Sequence, residues 1–310
     1  MRLARLASAL LAAGLAAGAA KAQDATVMTS VPSLGFPFFV HMENELQKAA
    51  DALGGIELRK SDGQNRTPKQ TADLEAAIVA GVDGIVISPL DSVAMAPAVR
   101  QAVEAGIPVV TIDRRVDGVE GVLAHVGADN VKGGEAQGEL VKRLFPDGAR
   151  IVNLQGQPGA SPAIDRNQGL HNALDGDDAY AFVAEQTANF AREEGASVTE
   201  AILAGLDSPP DVIVAANDDM ALGAAQVVGE QGLDIAVIGF DALPEALAAV
   251  RDGRMTATIE QMPGGQSRRA MEALVAHIRE GAQPEPLILL TPIAITQDNL
   301  DQAERLGEAD

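Results

Sequence analysis

Asp113-Arg114, Asn217 and Asp241 each stand at the end of an apolar run rich in Val, Ile and Ala in this 310-residue sequence. All are residue types suited to hydroxyl groups. A carboxylate accepts from two hydroxyls, a guanidinium donates in a planar fork, and an amide does both. Bonds that include a charged partner are the stronger kind. Aromatic residues gather at the same places. The chain holds seven Phe, one Tyr and no Trp, and five of the Phe (Phe36, Phe38, Phe39, Phe190 and Phe240) fall near run ends rather than through the apolar segments. A sugar ring offers C–H faces to aromatic planes and a hydroxyl rim to polar groups, so this mixture suits a polyhydroxylated ring. Two blander roles compete. Asp113, Asn217 and Asp241 are also good helix caps, although Asp218 is the better cap beside Asn217, which frees Asn217 to face a crevice. Phe38 or Phe39 could pack the first helix.

The runs themselves read as buried strands. Residues 84–87 end at Ser88, 107–112 at Asp113-Arg114, 212–216 at Asn217-Asp218 and 235–239 at Phe240-Asp241. Continuous Val/Ile runs mark parallel strands covered on both faces by helices. Ligands of such sheets bind beyond the carboxyl ends of the strands. Strands are expected at 25–28, 56–59, 84–88 and 107–113, with helices at 38–53, 71–80 and from 91 to near 106. The series then restarts. Residues 125–129 are extended and 130–145 helical. Strands follow at 150–154, weakly at 181–183, at 212–216 and at 235–240, with helices at 162–174, 191–206 and 218–231. A strand at 255–259, a helix at 266–280 and an extended run at 287–295 close the chain. The expected fold class is α/β, with two similar doubly wound parallel-sheet lobes joined by a multi-stranded hinge. One lobe takes 24–127 and 262–290, the other 128–261 and 291–310, with crossings at 127–129, 260–263 and 290–292. Such a hinge lets two lobes close on a small ligand.

Residues 1–22 read as a secretory signal: Arg2 and Arg5, an apolar stretch from Leu6 to Ala20, and the small-x-small site Ala20-Lys21-Ala22. No cysteine follows for a lipid anchor, and no cysteine exists for a disulfide. The expected mature protein is exported to the periplasm. The net charge is −21, and removing Arg2, Arg5 and Lys21 takes it to −24. That excludes nucleic acid and anionic lipid as expected partners. Enzyme signatures are missing: no phosphate-binding loop, no nucleophile elbow and no thiol. His41, His125, His171 and His277 fall in four separate elements without ligand spacing, so each reads as a packing or surface residue. No metal or cofactor is expected.

In this order and spacing, several short motifs carry a likeness. They are Phe36-Pro37-Phe38-Phe39-Val40, Thr111-Ile112-Asp113-Arg114, Gly127-Ala128-Asp129-Asn130 with Gly133-Gly134, and Leu154-Gln155-Gly156. Asn217 to Gly223, Val237 to Asp241 and Ala257 to Gln261 complete the set. The chain resembles, nearly end to end, the ribose-type periplasmic sugar-binding proteins of bacterial ABC importers. The resemblance implies that Phe38 and Phe39 stack one face of a sugar, with Phe190 and Phe240 contributing from the other lobe. It implies hydroxyl binding by Asp113 and Arg114 from the first lobe, and by Arg166, Asn217, Asp241 and Gln261 from the second lobe and hinge. Phe36 and Ser88 stand where ribose binders of the family carry Asn. A neutral hydrogen bond contributes ~0.5–1.5 kcal/mol and an orphaned polar group costs ~1–3, enough to change the preferred ligand. A pentose, another polyol and a cyclitol such as inositol all stay open.

The expected function is therefore capture of a small sugar or polyol by a monomeric binding protein that delivers it to ABC transporter permease subunits. Chemoreceptor docking is compatible with this. A repressor of the same fold needs a basic helix-turn-helix head where this chain has a signal segment. A sugar-processing enzyme needs a poised acid and base, whereas Asp113 and Asp241 already have hydrogen-bonding roles.

Overall fold

The computed structural model describes residues 25–309, so the signal segment lies outside the described residues. Among the described residues twelve strands and nine α-helices follow one another, mostly in alternation. The first sheet is built from β1 (Ala25–Val31), β2 (Ile56–Asp62), β3 (Gly84–Ile87), β4 (Val109–Ile112), β5 (Ala124–Ala128) and β11 (Leu287–Leu290). Its order is β11-β5-β4-β3-β1-β2, parallel throughout. The second holds β6 (Ala149–Gln155), β7 (Tyr180–Thr187), β8 (Val212–Ala215) and β9 (Ala236–Ile238), in the order β7-β6-β8-β9, also parallel. Both sheets therefore reverse their winding beside their first strand. That switch point is where the loops part and leave a crevice. A short antiparallel pair, β10 (Thr258–Glu260) with β12 (Ile293–Ile295), adjoins the second sheet through a bridge between Ala257 and Ile238 of β9.

Burial explains which strands the sequence revealed. Every residue of β3, β4 and β8 is buried, and these are the uninterrupted Val/Ile runs. The edge strands β2, β7 and β11 mix exposed and half-buried positions. The segment expected as a weak strand at 181–183 is in fact the eight-residue β7, whose outer edge needs no apolar face. The run at 287–295 divides into β11 and β12 in different sheets. Pro292 lies between them, and its missing N–H cannot extend a ladder.

The helices are α1 (Pro37–Leu53), α2 (Thr67–Ala80), α3 (Ala96–Glu104), α4 (Asn130–Leu144), α5 (Ser161–Leu174), α6 (Arg192–Gly205), α7 (Asp218–Glu230), α8 (Pro244–Arg251) and α9 (Pro263–Glu280). Six of them carry Pro in the first turn, where its missing N–H costs nothing and its fixed φ starts the helix sharply. Helix α8 is an addition to the sequence reading. Leu46, Ala50, Ala270, Met271 and Leu274 of α1 and α9 join Val86, Val110 and Val126 in one core. So α9, late in the chain, covers the first sheet. The chain passes from β5 into α4, from β10 into α9 and from β11 into β12. Among the described residues no helix is long and apolar enough to cross a membrane.

Candidate functional site

The strand ends of the two sheets face each other across a cleft. Phe36, Phe38 and Phe39 follow β1; Asp113 and Arg114 follow β4. From the other side come Arg166 on α5, Phe190 after β7, Asn217 after β8 and Asp241 after β9. Gln261 follows β10. These ten residues, with Pro162 and Asp219, line one pocket whose free cavity is about 30 Å³ in this closed form.

The aromatic wall is tightly set. Phe39 meets Phe36 and Phe38 edge to face, at centroid distances of 6.4 and 5.2 Å. Phe190 enters the cleft against Gly156, where an added Cβ would lie 2.2 Å from its ring. The Arg114 guanidinium lies between the lobes' aromatics, 5.4 Å from the Phe39 centroid and 5.5 Å from that of Phe190. This cation–π sandwich ties both walls to one cation.

Four charged groups sit at the floor with 3–4% of their surface exposed: Asp113, Arg114, Arg166 and Asp241. Arg114 Nη1 donates to the Leu90 carbonyl at 2.9 Å and to Gln157 Oε1 at 3.2 Å. Its Nε is 3.9 Å from Asp113 Oδ2. Arg166 donates to Asn130 Oδ1 at 2.8 Å and to the Ala216 carbonyl at 2.7 Å, and its Nη1 is 3.5 Å from Asp241 Oδ1. Gln261 donates to Asp241 Oδ1 at 2.5 Å. Burial pushes the Asp113 carboxyl up, partly offset by Arg114 and Arg166. Burial pushes Asp241 up to about 8, against the pull of Arg166. Burial lowers Arg114 to about 10, and lowers Arg166 as well. The quartet sets two acids against two bases in a poorly solvated place. Each carboxylate has about four acceptor positions, and protein donors fill only part of them. Groups that both donate and accept, which hydroxyls do, complete such a set.

Three of these positions have strained backbones. Asp113, Phe190 and Asp241 have φ of 60°, 61° and 120°, and none is glycine. Such residues persist where the surroundings over-determine them, which is common at ligand sites.

Two expected site residues lie behind the wall. Ser88 is fully buried and donates to Asp113 Oδ2 at 3.2 Å, so it supports that carboxylate without reaching the cleft. Phe240 is also fully buried. The Arg166 guanidinium covers it at 3.6 Å from the centroid, and Gly133 backs it where a Cβ would lie 2.5 Å from the ring. Its ring is a platform for Arg166, not a ligand-facing plane. The capping assignment also changes. Asn217 Oδ1 accepts from the Met220 amide at 3.1 Å and caps α7, while its Nδ2 donates to the Phe190 carbonyl at 3.2 Å. It both caps and lines the cleft. Asp218 instead points into the lobe.

Asp219, Pro162 and Gln157 are additions to the sequence reading. Asp219 pairs with Arg192 at 3.2 Å, and its place two residues after a cleft Asn was the available signal. Gln157 bridges the lobes, since its amide also donates to Asn65 Oδ1 at 2.9 Å. At the same rim the Arg115 amide donates to Ser161 Oγ at 2.9 Å, and Arg115 pairs with Asp165. The lobes thus stand closed. Of the histidines, His125 is held near 4 by burial beside Arg115, and His171 is raised by Asp175 and Glu185 despite its partial burial. No group of three metal-binding side chains occurs among the described residues.

The Asp241 shift has a measurable sign. A carboxyl with a raised folded-state pKa contributes most to stability in acid and loses that contribution as pH rises through the folded value. Ligand-free protein is therefore expected to lose thermal stability as pH rises from 3.8 to about 8. Asp241→Asn should reduce that slope, only in part because Asp113 and Asp218 shift in the same direction. An identical slope in melting curves of the variant would show that Asp241 does not titrate there.

Residues 27–283 match the family model described as periplasmic binding protein domain. The ribose import binding protein of Bacillus subtilis is 40% identical over 253 residues, 81% of each chain. The Caulobacter myo-inositol binding protein, solved with myo-inositol, is 43% identical, with a TM-score of 0.89 over 93% of this chain and 98% of that one. An ABC transporter solute binding protein of Bacillus halodurans, also with myo-inositol, is 28% identical, with a TM-score of 0.85 over 91% and 98%.

Proposed function

This chain belongs to the periplasmic binding protein family, and from that premise we propose that its cleft selects a cyclitol, with myo-inositol as the reference ligand. The protein is the binding component of an ABC importer and takes a small sugar or polyol. One observation carries the reading: a buried quartet of two acids and two bases, Asp113, Arg114, Arg166 and Asp241, set between phenylalanine rings. A ring with a hydroxyl on every carbon presents donors and acceptors around its whole rim, so polar groups on both walls are used at once. Its C–H faces rest on Phe38, Phe39 and Phe190. Phe36 puts a half-buried apolar edge on the cavity where ribose binders carry an amide.

Closure follows from this division. Ligand groups reach the Asp113–Arg114 and Arg166–Asp241 pairs together only when the lobes meet, so binding favours the closed state. The closed rim is then the surface that permease subunits read. The lobes comprise 24–127 with 262–290 and 128–261 with 291–310. Residues 1–22 direct export to the periplasm, where the mature chain acts as a monomer and returns its ligand chemically unchanged.

A thermal-shift panel tests the assignment. A ligand at a hundred times its Kd stabilises the folded protein by ~2.7 kcal/mol. At matched concentrations myo-inositol is expected to raise the melting temperature more than ribose, allose or glycerol. A larger shift with ribose would remove the cyclitol assignment and leave the importer role. No shift with any polyol or sugar would remove both.

A further inference from the structure

We propose that Thr258 and Asp218, neither of which touches the cleft, are positioning residues that aim the Asp241 carboxylate at the ligand. The proposal rests on the ligand-binding role of Asp241 given above. Asp241 and the next residue, Ala242, have φ of 120° and 51°, a conformation uncommon for non-glycine residues, so the loop needs holding from outside. Four backbone amides hold it. Those of Gly239 and Asp241 donate to the Ala257 and Ile259 carbonyls at 2.9 and 2.8 Å. The other two depend on side chains. The Ala242 amide donates to Thr258 Oγ1 at 3.1 Å, and the Leu243 amide donates to Asp218 Oδ2 at 2.8 Å. The two side chains are joined, because Thr258 Oγ1 donates to Asp218 Oδ1 at 2.7 Å.

Thr258 and Asp218 are both fully buried. The two oxygens of Asp218 are committed to the loop and to Thr258. Gly239 leaves it the room: an added Cβ would lie 2.1 Å from Asp218 Oδ1. Thr258 opens β10, the strand that leads through Gln261 into α9. The same pair therefore ties the Asp241 loop to a segment that runs between the sheets. With the loop held through the Ala242 and Leu243 amides, the backbone sets the direction of the Asp241 carboxylate in addition to its own contacts with Arg166 and Gln261.

The test compares Thr258→Val, which keeps the shape and removes the hydroxyl, with Thr258→Ser, which keeps the hydroxyl. Calorimetric titration uses whichever of myo-inositol and ribose the wild type binds more tightly. Thr258→Val is expected to weaken binding roughly tenfold, by stranding one buried amide and releasing the loop, and Thr258→Ser to retain near wild-type affinity. In an Asp241→Asn background the further loss from Thr258→Val should shrink, because both changes act on one carboxylate. Amide hydrogen exchange of ligand-free protein supplies a readout independent of any ligand: Ala242 should exchange faster in Thr258→Val than in Thr258→Ser. Equal exchange in the two variants, or the same affinity loss in both backgrounds, would overturn the proposal. Failure of the cyclitol reading alone would appear instead as a wild-type preference for ribose.

Discussion

Asp113→Ala is expected to weaken ligand binding by ~2–5 kcal/mol, because truncating one member of a buried hydrogen-bonded charge pair strands the other. The stranded group is Arg114. Its guanidinium keeps Leu90, Gln157 and the rings of Phe39 and Phe190, but loses its nearby anion. The ligand loses a carboxylate acceptor in the same stroke. The variant also places Ala at φ 60°, which Asp and Asn tolerate better. Asp113→Asn separates the two effects. It tolerates the backbone and accepts from Ser88, yet removes the charge, so its affinity should fall between wild type and Asp113→Ala. Calorimetry on folded protein decides the matter. Wild-type affinity in Asp113→Ala would mean that the cleft described here is not the ligand site.

Three members of this quartet, Asp113, Arg114 and Asp241, were legible before the fold because they stand past strand ends, and the strands were legible because burial on both faces leaves no polar interruption; Arg166, inside α5, came only from the family likeness. Asp113 and Arg114 come straight after β4, and Asn217 and Asp241 lie two and three residues past the ends of β8 and β9. What could not be read was direction. Phe240 and Asp241 are neighbours after one strand, but the positive φ at Asp241 sends the carboxylate to the cleft while the ring turns under Arg166. Ser88 shares Asp113's side of the sheet and ends beneath its carboxylate. Neither outcome depends on residue type; both depend on where a neighbouring element supplies a partner. The Asn217–Asp218 choice failed for the same reason. Asp218 has the better isolated capping chemistry, but Thr258 and the Leu243 amide, 40 and 25 residues away along the chain, claim its oxygens. Edge strands were obscure because an edge needs no continuous apolar run, as β7 shows with Glu185 and Gln186 inside it.

Gly134→Ala should lower stability and affinity together, since one helix contact sets both. Helices α4 and α5 meet backbone to backbone: a Cβ on Gly134 would lie 2.0 Å from the Arg166 carbonyl oxygen and 2.8 Å from the Leu170 nitrogen. The relation is reciprocal, because a Cβ on Gly169 would lie 2.0 Å from the Val131 carbonyl oxygen. Neither obstacle is a side chain that can rotate away, so the helices must separate. Overpacking of this kind costs ~1–3 kcal/mol or more. The separation reaches the site directly, because the bond between Asn130 on α4 and Arg166 on α5 spans this contact at 2.8 Å. Arg166 would then lose its fixed place beside Asp241 and over Phe240. Gly134→Ala and Gly169→Ala should each lower the melting temperature, and their combination should cost less than the sum, because the first already opens the contact. Gly229→Ala on α7 is the control. An added Cβ there meets nothing within 4 Å, so the change should stabilise by roughly 0.5–1 kcal/mol through the lost backbone freedom of glycine. Melting curves with calorimetry on the same samples distinguish the cases. A Gly134→Ala protein with unchanged stability would show that the helices can part freely, and Arg166 would then owe its position to Asp241 and Phe240 rather than to the packing of α4 on α5.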